Sequence, residues 1–542
     1  MKNEVWCVPL AEDLVLIYAP FHGALTLVNA AMAGAVSRCL EYEAEPVPGD
    51  AVWINDLRRA GNRPDRHRGD PDPLFLGLVP TRGCMMRCAY CDFTALQAHP
   101  VMSFDLIRWT IDGYAEMLRG KDAAEWNVHF FGGEPFAAFK EVVFAVNYAR
   151  RKAAEAGMPI RFEVTTNGYY AEEKARWIAE NIDTVVLSLD GFPGSQNLQR
   201  PGPRGRDSFP TVCRSADIFS RGSCELIIRS CISAENVKEI PAWAAFLAER
   251  WEPSSVCLEP MIESAMSRKN GLTPPDPFVF AKQWAAAQRI LMGKQIPLVY
   301  SSGDISECRN SLCPLGRDAL IVDPEGRIGS CWQLAENRRT GGSGWYFGHV
   351  GSGKICIDQM LLEELRADSE ENRENCRGCF CYAHCAGGCL LNKNHDGDFC
   401  RLTRVLTLRQ LLEQLEYGDL ADGLLMNETY QRWLAGVKDF RCGALSFAEL
   451  PADLQAFAPG LEEPGLTAEC ENLPAEPVPA DVVTGWVRDG SRVILANLRE
   501  CFVKVLDGEE ALRFQLDHSG MDKTDIETLW NALRTGTGPW QI

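Results

Sequence analysis

The chain has 542 residues, 46% hydrophobic and 24% charged, a globular composition that excludes a disordered chain. At about 100–200 residues per domain it predicts three to four domains. Its 74 acidic and 55 basic residues leave a net charge of −19, which excludes a surface built to embrace nucleic-acid phosphates. No stretch of about 18 uncharged apolar residues is present, so no membrane span is expected. The first residues, Met1-Lys2-Asn3-Glu4-Val5-Trp6, lack the apolar core of a signal peptide, and a cytoplasmic protein is expected. In that reduced compartment 22 cysteines predict metal ligation rather than disulfides.

Residues 1–57 hold apolar runs at 14–18 and 25–28 around a His22-Gly23 turn, then an Ala-rich helix over 30–41: a small α+β unit. Residues 58–73 are polar and proline-broken, a linker. From 74 to 300, strand-like runs at 74–79, 128–131, 162–165, 184–189, 224–228 and 255–258 alternate with amphipathic stretches at 104–118, 139–156 and 171–181. That alternation predicts an α/β fold with a parallel sheet, and six units suit a partial (β/α)6 barrel better than a closed eight-stranded one. Residues 301–418 are cysteine-dense up to 400 and poor in periodicity, so metal rather than an apolar core is expected to organise them, with a helix at 402–416. In the C-terminal extension, 419–542, six prolines mark a linker at 451–481. Runs at 492–495 and 501–506 and a helical stretch at 525–533 then predict a second small α+β unit.

Two cysteine clusters carry the chemistry. The run 74–79 leads through Pro80-Thr81-Arg82-Gly83 into Cys84-Met85-Met86-Arg87-Cys88-Ala89-Tyr90-Cys91. Three thiolates leaving a strand through a Pro/Gly turn can fill three corners of a four-iron cluster and leave one iron open. The bland reading is a helix that buries the three cysteines on one face; Pro80, Gly83 and Arg87 favour a loop. Gly132-Gly133-Glu134-Pro135, Thr165-Thr166-Asn167-Gly168 and Ser188-Leu189-Asp190-Gly191 each end a predicted strand. Each alone is a generic turn. Together they lie at the carboxyl ends of strands, where α/β sheets and barrels bind ligands.

Cys84-x3-Cys88-x2-Cys91 resembles the radical S-adenosylmethionine (SAM) superfamily. The resemblance implies one [4Fe–4S] cluster on these catalytic cysteines, whose open iron chelates SAM; one-electron reduction then gives a 5′-deoxyadenosyl radical. It places Tyr90 near the adenine. Glu134, after the permissive Gly132 and Gly133, would pair with the SAM ammonium. Thr166, Asn167 and Ser188 would add polar contacts, and Asp190 suits a ribose hydroxyl. A second set, Cys313-x12-Gly326-x4-Cys331 followed by Cys376-x2-Cys379-x5-Cys385-x3-Cys389 and Cys400, resembles the SPASM motif of peptide and protein maturases. Cys308 stands where members with two full auxiliary clusters have an eighth cysteine. Carried over, Cys308, Cys313, Cys331 and Cys389 hold one auxiliary [4Fe–4S] cluster, and Cys376, Cys379, Cys385 and Cys400 the other. The alternative is a pair of four-cysteine zinc sites. Cys356 and Cys381 fall outside the pattern, and His129, His384 and His395 are read as structural.

The resemblance therefore implies three clusters, SAM, a one-electron donor such as a flavodoxin or ferredoxin, and a peptide or protein substrate that is oxidatively modified, most often crosslinked. Sulfatase-maturase-like formylglycine formation, and radical chemistry on a small metabolite, are the alternatives. Against the first stands Trp332, where those maturases follow the cysteine with an aspartate. Either terminal unit would suit capture of a leader peptide by strand addition, the N-terminal one being favoured by its place before the barrel.

Overall fold

The structure, a computed structural model, describes residues 4–444 apart from 12, 42–50, 59–60, 65–68, 92–99, 120, 122–123, 314–318, 333–344 and 391–396, together with the strands 485–489, 492–497 and 502–506. The N-terminal unit is a three-stranded antiparallel meander, β1 (Trp6–Ala11), β2 (Leu14–Ala19) and β3 (Ala24–Val28), followed by α1 (Ala30–Glu41) and α2 (Ala51–Arg58). Gly23, at φ 65°, makes the expected turn into β3. Both faces of β1 and β2 are buried. Val15 and Ile17 pack with Val36 and Ile54 of the helices, while Trp6, Leu16 and Tyr18 join the main core. A strand apolar on both faces reads as a continuous run, which is why 14–18 shows no alternation.

The barrel begins with β4 (Phe75–Leu78) and α3 (Phe104–Leu118), then β5 (Trp126–Phe130), α4 (Phe139–Glu155), β6 (Ile160–Thr166), α5 (Glu172–Asn181) and β7 (Thr184–Ser188). It continues with α6 (Pro193–Gln199), α7 (Phe209–Phe219), β8 (Glu225–Ile232), α8 (Ile240–Arg250), β9 (Ser255–Pro260), α9 (Ala265–Lys269), α10 (Pro277–Met292) and the short β10 (Leu298–Val299). Strands β4 to β10 run parallel in order, and β10 does not pair with the far edge, so the barrel is open as expected. Helix starts follow their sequence signals. Ser103 accepts from the Leu106 N–H to cap α3, and Asp276 accepts from Phe278 and Val279 ahead of Pro277 to cap α10.

One expectation is corrected by the strands that follow. Residues 301–400 were expected to lack an apolar core, yet β11 (Ala319–Val322) pairs parallel with β4. Next, β12 (Arg327–Gly329), β13 (Tyr346–Gly351) and β14 (Lys354–Ile357) extend the same sheet antiparallel to eleven strands. α11 (Gln359–Glu374), which the sequence reading did not assign, buries Leu362 and Leu365 in the main core. These strands are only three to six residues long, too short for a period to show. The turn helix α12 (Tyr382–Cys385) and α13 (Asp398–Gln414) carry the last cysteines, and α14 (Gly418–Met426) and α15 (Glu428–Gly436) close the body. β15 (Gly485–Asp489), β16 (Arg492–Asn497) and β17 (Phe502–Leu506) form a separate meander. The expected linker at 451–481 and the helix at 525–533 lie outside the described residues.

The N-terminal sheet is wedged against the cysteine region rather than tethered to it. Cys7 N donates to Phe440 O at 2.8 Å and Cys442 N to Val5 O at 2.8 Å. The Trp6 indole donates to Arg377 O at 3.1 Å, and the Tyr18 hydroxyl meets His384 Nε2.

Candidate functional site

The segment Cys84–Cys91 is a loop, not a helix, leaving β4 toward the carboxyl-end mouth of the sheet. Its path is set by the Gly132-Gly133-Glu134 turn after β5. Gly133 N donates to Thr81 O at 3.2 Å and Glu134 N to Gly83 O at 2.9 Å. A Cβ built on Gly133 would lie 2.4 Å from Arg82 O, and one on Gly132 2.5 Å from Thr81 O. The close approach that these glycines allow is therefore that of the cysteine loop's own backbone, not of a ligand.

Glu134 is fully buried. Its Oε1 accepts from Phe136 N at 3.1 Å and Thr166 Oγ1 at 2.9 Å, and its Oε2 from Asn167 N at 2.8 Å. Burial raises its pKa to about 7 against these three donors. A carboxylate offers about four acceptor positions, so one remains for a cation. Asn167 reaches back to the loop, its Nδ2 lying 3.4 Å from Cys84 Sγ. Thr166 and Asn167 thus join the end of β6 to the loop, as expected of residues lining one site. Ser188 ends β7, in register with Arg229 of β8.

Asp190 is held by protein groups around the loop. It is fully buried, and its Oδ2 accepts from the Tyr90 hydroxyl at 2.7 Å and Gln199 Nε2 at 3.2 Å, and pairs with Arg200 Nε at 2.8 Å. Cys231 N donates to its Oδ1 at 3.0 Å. Three hydrogen-bond donors and the Arg200 ion pair engage the carboxylate, which locks Tyr90, and with it the loop, in place.

Arg200 was missed by sequence reasoning. Its guanidinium lies 5.4 Å over the Tyr90 ring with Nη1 3.9 Å from Cys88 Sγ. The signal was thin, one arginine in a Gln199-Arg200-Pro201-Gly202 turn. Arg82 and Asp323 were missed too. Arg82 Nη2 pairs at 2.7 Å with the fully buried Asp323, which also accepts from Tyr346 at 3.0 Å and pairs with Arg327 at 2.8 Å, tying the loop to the end of β11.

The three thiols respond to one another. Burial first, then Glu134, pushes Cys84 up to about 11. Burial pushes Cys88 up to about 12, with Arg200 opposing and Cys91, Cys84 and Asp190 adding to it. As thiols Cys84 and Cys88 stay protonated, and iron would displace those protons. Three neighbouring cysteines on one loop, one N–H donor beside Cys84 and one cation beside Cys88 suit a four-iron cluster with an open corner.

The second set is partly gathered. Burial raises Cys385, and the neighbouring Cys400, Cys379 and Cys376 raise it further, so these four share one pocket. A bond from Cys381 holds Cys379 down to about 6, against burial and with help from Arg404. Among the described residues no three Cys, His, Asp or Glu side chains close on a point as ligands of a single zinc ion do, a spacing that the separate irons of a cluster do not need. The loop of Cys308 lies against the α12 turn, where Arg309 N donates to Ala383 O at 2.7 Å and His384 Nδ1 meets Glu307 O at 2.7 Å. Cys313 borders a segment outside the described residues, and Cys331 and Cys389 each lie one residue short of one. Cys356 is exposed on β14.

Inside the barrel, Phe75 stacks on His129 at 4.2 Å and on Trp332 at 6.0 Å, and Phe131 meets Trp332 at 5.0 Å. Burial lowers His129 to about 4, so the ring is neutral. Trp332 covers Gly77, where a Cβ would lie 2.6 Å from its ring. The residue after Cys331 therefore contributes an apolar plate to the lumen.

The family model of the Radical SAM superfamily matches residues 78–241. The cysteine-type anaerobic sulfatase-maturating enzyme of Clostridium perfringens (strain 13 / Type A) is 24% identical over 336 residues, 58% of this chain and 89% of that protein. The radical SAM cyclopropyl synthase TigE of Paramaledivibacter caminithermalis is 20% identical over 372 residues, 62% of this chain and 73% of that one. A solved structure of native anSMEcpe with bound AdoMet and the Cp18Cys peptide has the same fold, with a TM-score of 0.50 at 19% identity over 65% of this chain and 99% of that chain.

Proposed function

We propose that this chain, a radical SAM enzyme by its domain at 78–241, oxidatively modifies a ribosomally made precursor peptide by crosslinking its side chains. The observation that carries the reading is the Cys84–Cys88–Cys91 loop held at the barrel mouth by Glu134, Asn167 and Asp190. SAM bound at such a loop supplies a 5′-deoxyadenosyl radical after one-electron reduction, for which a flavodoxin or ferredoxin is the donor class. The chain's own residues prepare the site. Glu134 keeps one acceptor position for an ammonium, Arg200 offers a cation beside Cys88 for a carboxylate, and Tyr90 is fixed by Asp190. Phe75, Phe131 and Trp332 keep the lumen apolar, which shelters a radical from water.

Cys308, Cys313, Cys331 and Cys389, and Cys376, Cys379, Cys385 and Cys400, are proposed as the ligands of two auxiliary [4Fe–4S] clusters that take up the electron left after hydrogen abstraction. The pocket shared by the last four supports this. Among the described residues β3 pairs with β2 alone and lies at the sheet edge, which supports capture of a leader strand there.

Formylglycine formation is the second reading, favoured by what the Clostridium relative is named for. Trp332 weighs against it, because an indole cannot serve as a base in the place of an aspartate. Small peptides encoded beside the gene, co-expressed anaerobically with the enzyme and weighed by mass spectrometry, separate the readings. Loss of two hydrogens per linkage supports crosslinking, and an aldehyde captured by a hydrazide probe supports formylglycine. No change on any peptide, with 5′-deoxyadenosine still formed, would sink both.

A further inference from the structure

Helix α13 carries Cys400, Arg404 and Thr407 at positions i, i+4 and i+7, which places the three on one face. Arg404 is 5% exposed, and Thr407 fully buried. The Arg404 guanidinium is held at one end by Nη1 donating to Ala435 O at 2.6 Å, which ties α13 to α15. On its other side it hydrogen-bonds Cys379 and stands beside Cys381 and Cys400. Its Nε is buried without a protein acceptor. No carboxylate among the described residues lies within ion-pair distance of it, whereas the buried Arg409 on the next turns meets both Glu413 and Asp422.

A buried guanidinium whose neighbouring anions are cysteine sulfurs and not a carboxylate is costly, and a buried N–H without an acceptor adds to that cost. Both deficits are met if the anion is the sulfur of the group that Cys376, Cys379, Cys385 and Cys400 surround. We propose that Arg404 is a positioning residue that raises the reduction potential of the auxiliary cluster held by those four cysteines. The proposal rests on the reading that they hold a [4Fe–4S] cluster. Reduction adds one electron and one negative charge to such a cluster, with no bond made or broken. Arg404 stabilises the more negative form through its fixed charge and through N–H donation to sulfur. That favours this cluster as the acceptor of the single electron released when a substrate radical closes into product.

The test is a potentiometric titration followed by electron paramagnetic resonance on the full chain, reconstituted anaerobically with iron and sulfide. Native protein is compared with Arg404→Met and Arg404→Lys. With iron content equal to native, Arg404→Met is expected to hold its auxiliary electron about tenfold more weakly, a downward shift of about 59 mV for one electron. Arg404→Lys keeps the charge and is expected to shift less than half as far. The signal that responds to added SAM should titrate as in native protein in both. An Arg404→Met protein with native iron and an unmoved auxiliary titration overturns the proposal. Where Arg404→Met loses iron through its lost Ala435 contact, Arg404→Gln and Arg404→Lys are compared instead, and equal potentials in those two overturn it. Iron counting on the native chain comes first, because a native protein that holds no cluster on these cysteines removes the underlying reading before any variant is made.

Discussion

Cys84 and Cys88 sit among acids, Glu134 and Asp190, at the mouth of an open barrel, while Cys379 and Cys400 sit beside the guanidinium of Arg404 inside a packed pocket. Thiols are pushed up to about 11 and 12 in the first setting; in the second, Cys385 is pushed up as well, while Cys379 is held down. Burial pushes up Cys88 and Cys385 alike, so it is not what sets Cys379 apart. What sets Cys379 apart is the bond it receives from Cys381, with the Arg404 cation helping. The first site is a backbone loop clamped by strand ends, suited to an open corner and a small ligand. The second is set into helix turns with its surroundings closed, suited to holding and passing an electron.

Removing a thiol from each site tests that division most severely. Cys88→Ala is expected to drop 5′-deoxyadenosine formation to background, read by liquid chromatography, while auxiliary iron persists. Loss of all iron in that variant would mean the two sites are not separate. Asp190→Asn comes next, because it strips the countercharge from the buried Arg200. A loss of about 3–5 kcal/mol in denaturant unfolding is expected. A loss under about 1 kcal/mol would break the claim that acids organise the first site.

The third test uses pH. Glu134 has a folded pKa of about 7, above its unfolded value, so the folded apoprotein binds the extra proton. Its contribution to stability is therefore fully present below the ordinary carboxylate range and is lost as pH rises through about 7, by up to about 3 kcal/mol. Glu134→Gln should flatten that slope in urea titrations at several pH values, without SAM. An unchanged slope would show that Glu134 does not titrate there. At the small end, Cys356→Ser, on the exposed face of β14, should leave iron content unchanged and stability within about 0.5 kcal/mol.

Much of the barrel was legible in the sequence. The predicted 104–118 helix is α3 to the residue, and each of the six predicted strands overlaps an observed one, because an apolar run between amphipathic helices carries a strong period. The short strands β11 to β14 were not legible: Ala319–Val322 looks like any four apolar residues until it pairs with β4. Among candidate site residues, Cys84, Cys88 and Cys91 were legible because they share one loop, and Glu134 and Asn167 because each follows a predicted strand. Arg200, Asp323 and Arg404 were not, since each acts across 100 residues or more or through a helix face whose partner no local pattern names.

The sequence by itself determined which residue types are available and in what spacing: three cysteines in a loop, a motif of eight more, and six βα units to carry them. Tertiary structure decided what each does. It turned Asp190 inward onto three donors and the Arg200 cation, brought the glycines against the cysteine loop rather than a ligand, and laid Trp332 over Gly77 inside the barrel. The physical reason is range. Spacing along a chain fixes only near neighbours, while burial, countercharge and hydrogen-bond saturation depend on segments that meet only when the fold closes.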